Sequence, residues 1–256
     1  MYTSRLSGNW NLWRVNAVKG HPTQLTFDSS NSFLPSVAPE GGTIFFTSDR
    51  DGHWAIWRIN PDGGSAKRVT PLGQAANMVF PSRDGKWLFY SIMGPAHVVR
   101  MPADGGQVQS YERLYCCTVG GSSDGKLVAA MQEDQQKWRL EMFPVTGGQP
   151  VRISPWLPNL SYLPPRLSRD GERILYADVQ HGTANLWSTD FAGTTPKQVT
   201  HFSDLQRISS FAVAADGRIA MSRGTSISDA VLIRVSFTRQ ANLRTSGSDG
   251  AASAPQ

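Results

Sequence analysis

Short apolar runs broken by glycine-centred polar turns recur along the chain: PEGGTIFFTS, RDGKWLFYS, SDGKLVAAM, RDGERILYA and ADGRIAMSR. Each pairs a polar turn with a run of β-branched and aromatic residues, the mark of a strand leaving a tight hairpin. The turn glycines Gly41, Gly85, Gly125, Gly171 and Gly217 lie 44, 40, 46 and 46 residues apart. A second set keeps step with them, since Gly63-Gly64, Gly105-Gly106, Gly147-Gly148 and Gly193-Thr194 follow by 22, 20, 22 and 22 residues. Between the two turns sit WAIWRIN, HVVRMP, WRLEMFPV and ANLWSTD, and after the second come KRVT, VRIS and KQVT. The unit therefore reads as four strands, a to d, joined by hairpins.

A repeat of this length is one four-stranded blade and is too long for most helical repeats. The pattern predicts an all-β fold, a β-propeller of four-stranded antiparallel blades with about six blade positions, the first and last incomplete. Tyr2-Thr3-Ser4 align with Phe46-Thr47-Ser48, so the first unit opens within strand b and lacks its inner half. Residues 208–237 supply strands a, b and c of the last unit, which lacks an outer strand. The predicted domains are a propeller over 1–237 and a small, polar, disordered tail over 238–256. An open ring leaves unpaired edges, so the sequence is expected to be the C-terminal part of a longer protein. Trp13, Trp57 and Trp187 share one strand-c position and are expected to fill the space between blades rather than to stack on a ligand.

The segment FLPSVAPEGGTIFFTSDRDGHWAIWRINPDGGSAKRVT resembles the WD40-like repeat of TolB-type six-bladed propellers. It carries a Pro six residues before the turn glycine (Pro35, and Pro165 in a later unit), an acidic-Gly turn, an S-D-R-D-G hairpin from Ser48 to Gly52, and a D-G-G turn from Asp62 to Gly64. Val79, Val119 and Phe211 stand where other units have the Pro. The likeness covers about residues 2 to 237. The ending SRGTSISDAVLIRVSF is similar to the last blade of propellers at the C-termini of bacterial multidomain proteins, where a winged-helix DNA-binding domain or a serine/threonine kinase precedes. The resemblance implies a sensory or interaction module and names no ligand.

Composition sharpens this little. Hydrophobic residues make up 39% and charged residues 18%, with 24 Gly and 16 Pro, as a turn-rich β protein needs. The net charge of +5 is spread singly over the chain with no basic cluster, which speaks against nucleic-acid binding through this domain. Cys116 and Cys117 are adjacent and form no disulfide framework. No apolar run approaches the roughly 18 residues that span a bilayer, and MYTSRLSGNWNLW lacks signal-peptide order. The compartment, periplasmic or cytoplasmic, stays open.

Catalytic motifs are missing from the sequence. There is no GxSxG elbow, and GGSSDG at 120–125 is an a–b turn in the repeat register. HExxH and CxxC are absent, and His21, His53, His97, His181 and His201 fall in different units. Asp49, Asp51, Asp62, Asp84, Asp104, Asp124, Asp170 and Asp216 occupy turns, where bonds to local backbone account for them. No cofactor is predicted; a channel calcium, as in some propellers, has no EF-hand-like spacing behind it.

A ligand site belongs on the channel rim, where loops from a rigid scaffold converge. The candidates there are Asn31, Phe33, Asn77, Tyr115, Tyr162 and Arg207, which vary between units while the turns stay alike. The expected function is a non-catalytic binding or scaffold module, taking a protein or small molecule at that rim, within a larger bacterial regulatory protein. The alternative is a propeller serving a prolyl-oligopeptidase-type hydrolase whose catalytic domain is absent here. A propeller lyase or hydrolase would need a channel-facing cluster of His and carboxylates, which the sequence does not place.

Overall fold

The computed structural model describes residues 1–225, apart from 17–19, 95–96, 112–117, 123, 135–136, 158–162, 169 and 215–216. Every described element is a β-strand. Blade 1 has three strands, β1 (Tyr2–Ser7), β2 (Asn9–Val15) and β3 (Pro22–Gln24). Blade 2 is β4 (Ser32–Val37), β5 (Ile44–Ser48), β6 (Ala55–Ile59) and β7 (Lys67–Arg68). Blade 3 is β8 (Ala76–Pro81), β9 (Trp87–Ile92), β10 (His97–Pro102) and β11 (Gln109–Ser110). Blade 4 is β12 (Thr118–Gly121), β13 (Leu127–Asp134), β14 (Lys137–Pro144) and β15 (Arg152–Ile153). Blade 5 is β16 (Arg166–Leu167), β17 (Arg173–Gln180), β18 (Thr183–Asp190) and β19 (Lys197–Gln198). Blade 6 contributes β20 (Arg207–Val213) and β21 (Ile219–Gly224).

All pairings are antiparallel meanders between consecutive strands, giving four four-stranded sheets flanked by a three-stranded and a two-stranded one. The predicted propeller of four-stranded antiparallel blades is what the described residues form, over six blade positions. The first blade lacks its strand a, as the alignment of Tyr2 with Phe46 requires. Strand c of blade 6, the end of the propeller at 237 and the tail over 238–256 lie outside the described residues, as do Cys116 and Cys117.

Identical side-chain bonds explain why the repeat builds the same sheet each time. In the a–b turns of blades 3, 4 and 5, a serine accepts from the N–H five residues on: Trp87 to Ser82, Leu127 to Ser122 and Arg173 to Ser168, each at 2.9 Å. The same serine donates to the aspartate two residues on (Asp84, Asp124, Asp170), which accepts from the next turn N–H. This ties the positive-φ glycine turn shut. A second recurrent bond joins strand c to the end of strand d. The N–H groups of Leu12, Ile56, Leu140 and Leu186 donate to hydroxyls of Thr26, Thr70, Ser154 and Thr200 at 3.0, 3.2, 2.9 and 2.9 Å.

The core lies between blades rather than within them. Each of five buried clusters is shared by two consecutive blades: Leu12 and Leu25 with Ile44 and Phe46; Phe45 and Ile56 with Leu88 and Tyr90; Phe89 and Val98 with Val128 and Phe143; Met131 and Leu140 with Leu167 and Ile174; Leu175 and Leu186 with Ile208 and Phe211. Trp57 and Trp187 pack against such clusters, in line with the filling role expected of them. Trp13 occupies the equivalent register position in blade 1.

Candidate functional site

A meander puts the a–b and c–d turns on one face of the propeller and the b–c turns and d–a connections on the other. The two faces differ in chemistry. On the face of the a–b and c–d turns, Val151 is exposed within a turn, and Val15 and Val37 are exposed at the strand ends that lead into these turns. Every described d–a connection, by contrast, holds a large apolar side chain out to solvent: Phe27 (76% exposed), Leu72 (85%), Trp156 and Leu205 (70%). Met93 in a b–c turn, and Leu6 and Trp10 at the strand ends that flank the β1–β2 turn, are exposed on the same face.

None of these side chains belongs to the buried clusters between blades. At the boundary of blades 1 and 2, Trp10 belongs to an aromatic row with the half-buried Phe33 and Trp54. Phe33, in β4, lies 5.5 Å from the ring of Trp10 and 5.5 Å from that of Trp54, with interplanar angles of 45° and 48°. Trp10 and Trp54 are repeat equivalents, as GNWNLW beside GHWAIW makes plain. The Arg5 guanidinium sits 5.7 Å from the Trp10 ring centre. The carboxylates of the adjoining loops are engaged: Asp28 with Arg50 at 3.2 Å, Asp51 with Arg68, and Asp49 with both the backbone N–H (2.7 Å) and side-chain Nδ2 (3.0 Å) of Asn31. Arg50 has its pKa lowered by burial, against the opposing pull of Asp28 and Asp51.

Backbone geometry helps to aim this row. In β4 the register slips between Phe33 and Ser36, and in β8 between Asn77 and Phe80. The bulged residues Leu34 and Met78 have φ of 52° and 55°, a conformation costly for side chains of this size. A bulge bends its strand and re-aims neighbouring side chains, so the same device flanks Phe33 and Asn77 in consecutive innermost strands.

The predicted rim residues fare differently. Phe33 and Asn77 hold equivalent positions, opposite Thr47 and Ser91. Asn31 is committed to Asp49 and braces the d–a connection against the b–c turn. Arg207 is exposed at the start of β20, away from the aromatic row in sequence and in blade. Tyr115 and Tyr162 lie outside the described residues. Sequence reasoning missed Trp10 and Trp54; the signal that finds them is a tryptophan three residues ahead of the strand-c tryptophan in two consecutive units. Among the described residues, no group of three or more His, Cys, Asp or Glu is arranged to hold a metal ion, and no helix is long and apolar enough to cross a membrane.

No protein-family model matches the chain, and no curated protein does either. Solved structures do. The putative TolB of Agrobacterium tumefaciens superposes with a TM-score of 0.66 at 16% identity, covering 81% of this chain and 75% of that one. TolB of Acinetobacter baumannii gives 0.61 at 19% identity over 76% of this chain. The fold is that of a TolB-like propeller. This TolB-like propeller spans about half (49%) of the Acinetobacter chain. An oligogalacturonate lyase in complex with manganese has the same fold, with a TM-score of 0.56 at 15% identity over 85% of this chain and 65% of that one. At these identities the likeness shows the fold alone.

Proposed function

We propose that this TolB-like propeller is a non-catalytic binding module that receives a protein partner on the face of b–c turns and d–a connections. It acts as the sensory or interaction part of a bacterial regulatory protein of the kinase or winged-helix kind. One observation carries this reading: each described d–a connection holds a large apolar side chain out to solvent, on the face that also carries the Trp10–Phe33–Trp54 row at blades 1 and 2. Rigid aromatic side chains with a nearby arginine are the usual anchors of protein interfaces. The resemblance of the SRGTSISDAVLIRVSF ending to last blades of regulatory proteins supports the second half of the proposal.

The test is selection of peptide ligands from a display library on the immobilised propeller, followed by affinity measurement on Trp10→Ala, Trp54→Ala and Leu72→Ser. Each is expected to weaken binding about tenfold or more, the effect of removing an interface anchor, with the circular dichroism spectrum unchanged. Ligands that bind all three variants as well as the parent would remove the site from this face. Turnover in a lyase and hydrolase screen that vanishes on substituting Asn77 would replace the reading with an enzymatic one.

A further inference from the structure

On the opposite face, the c–d hairpin of blade 2 sets two cations against each other. Arg58 of β6 and Lys67 of β7 are register partners, and like charges directly opposed across a sheet destabilise the pairing. The equivalent positions of the other blades are built differently. In blade 3, Arg100 faces Gln109, whose Oε1 accepts from its guanidinium at 2.8 and 2.6 Å. In blade 1, Arg14 faces Thr23 and donates to the Pro61 carbonyl at 3.0 Å. Blade 4 opposes Met142 to Arg152, and blade 5 opposes Ser188 to Lys197. Among the described hairpins, blade 2 alone opposes two cations here, and its arginine lacks the acceptor that Arg14 and Arg100 have.

A cavity of about 300 Å³ opens at this pair, lined by Thr43, Arg58, Ile59, Asn60, Ser65 and Lys67. No carboxylate lines it. Its five polar side chains make no hydrogen bond or ion pair with any described residue, so two cations, two hydroxyls and an amide stand uncommitted around one space. Ser65 is held at φ 56°, an arrangement that a non-glycine residue adopts only when its surroundings impose it.

We infer that this cavity binds a phosphoryl group, free or as a small monoester. The guanidinium offers a planar fork of N–H donors and the ammonium a point charge, and charge-assisted bonds to phosphate oxygens are among the strongest a surface site makes. The Thr43 and Ser65 hydroxyls and the Asn60 amide supply further donors. Binding would also cancel the repulsion between Arg58 and Lys67. A neighbouring cavity of about 210 Å³ shares Thr43 and Arg58 but is lined by Glu40 and Asp104, neither of which forms an ion pair with Arg58. Their charge keeps an anion out of that side, so the phosphoryl group sits toward Lys67.

The experiment is calorimetric titration of the whole chain with inorganic phosphate and with phenyl phosphate, acetate serving as the comparison anion. Saturable binding of both phosphates, tighter than acetate, is expected, with affinity about tenfold lower in Arg58→Gln and in Lys67→Gln. Lys67→Gln, whose parent side chain is exposed, keeps the test usable if Arg58→Gln fails to fold. Without ligand, Lys67→Gln is expected to melt above the parent, since it removes the opposed charge. Trp10→Ala is expected to leave phosphate binding intact, which separates this site from the proposed docking face. Absence of saturable binding, or equal binding by Lys67→Gln and the parent, overturns the inference.

Discussion

Asp190 closes the c–d turn of blade 5 by accepting from the Thr194 hydroxyl at 2.6 Å, the Thr194 N–H at 2.8 Å and the Thr195 hydroxyl at 3.0 Å. These bonds favour the carboxylate, and they hold its pKa down at about 2. The Ser122 and Ser168 hydroxyls lower Asp124 and Asp170 in the same sense. The unfolded chain has aspartates near pKa 3.9, so this stabilisation is complete above about pH 4 and is lost as pH falls toward about 2. Thermal melts on Asp190→Asn are therefore expected to fall less steeply than those of the parent across that interval, while near neutral pH the variant is the less stable. Part of this scale is readable from sequence: local backbone bonds account for Asp62, Asp84, Asp124 and Asp170 as expected, whereas Asp49 and Asp51 depart from that expectation by engaging Asn31 and Arg68 from other elements of the fold. The Trp10 and Trp54 row is not readable there, because Phe33 of blade 2 joins Trp54 of its own blade to Trp10 of blade 1, and the repeated Trp spacing does not show which ring lies between them.

Strands were legible because glycine and hydroxyl chemistry repeats in step with them. The cap that joins strand c to strand d rests on a single oxygen in each of blades 1, 2, 4 and 5. Thr70→Val leaves the buried Ile56 N–H without an acceptor and is expected to cost about 1–3 kcal/mol, measured by urea denaturation. Glycines differ in what surrounds them. A Cβ on Gly63 would meet the Leu25 carbonyl oxygen at 2.5 Å, whereas one on Gly52 meets nothing within 4 Å, although φ is positive at both (94° and 87°). Gly63→Ala thus pays for conformation and for collision between blades 1 and 2. It is expected to destabilise more than Gly52→Ala, which carries only the conformational cost of about 1 kcal/mol, and paired melts of the two variants check this. The bulges at Leu34 and Met78 escaped sequence reading for a physical reason: positive φ announces itself through glycine or asparagine, and neither residue is present there.

Across the whole molecule, the six-position architecture followed from two sets of turns that keep phase, since only a unit of fixed strand number preserves such spacing. The unequal chemistry of the two faces did not follow. Loop residues such as Phe27, Leu72 and Leu205 look like core candidates in a linear reading, and only the fold reveals that they point outward. The core clusters give a further expectation. Phe143 is fully buried between blades 3 and 4, and Phe143→Ala should lower stability by about 3–5 kcal/mol in denaturant titration.

Among the described residues, the buried members of each apolar cluster come from two adjacent blades, so most of the core is seam rather than common centre. An insertion or duplication of one unit would meet the same seam on either side of itself. Such a chain can gain or shed a blade in evolution without redesigning a common centre, and its sequence is free to drift wherever the seams and the clasped turns are spared.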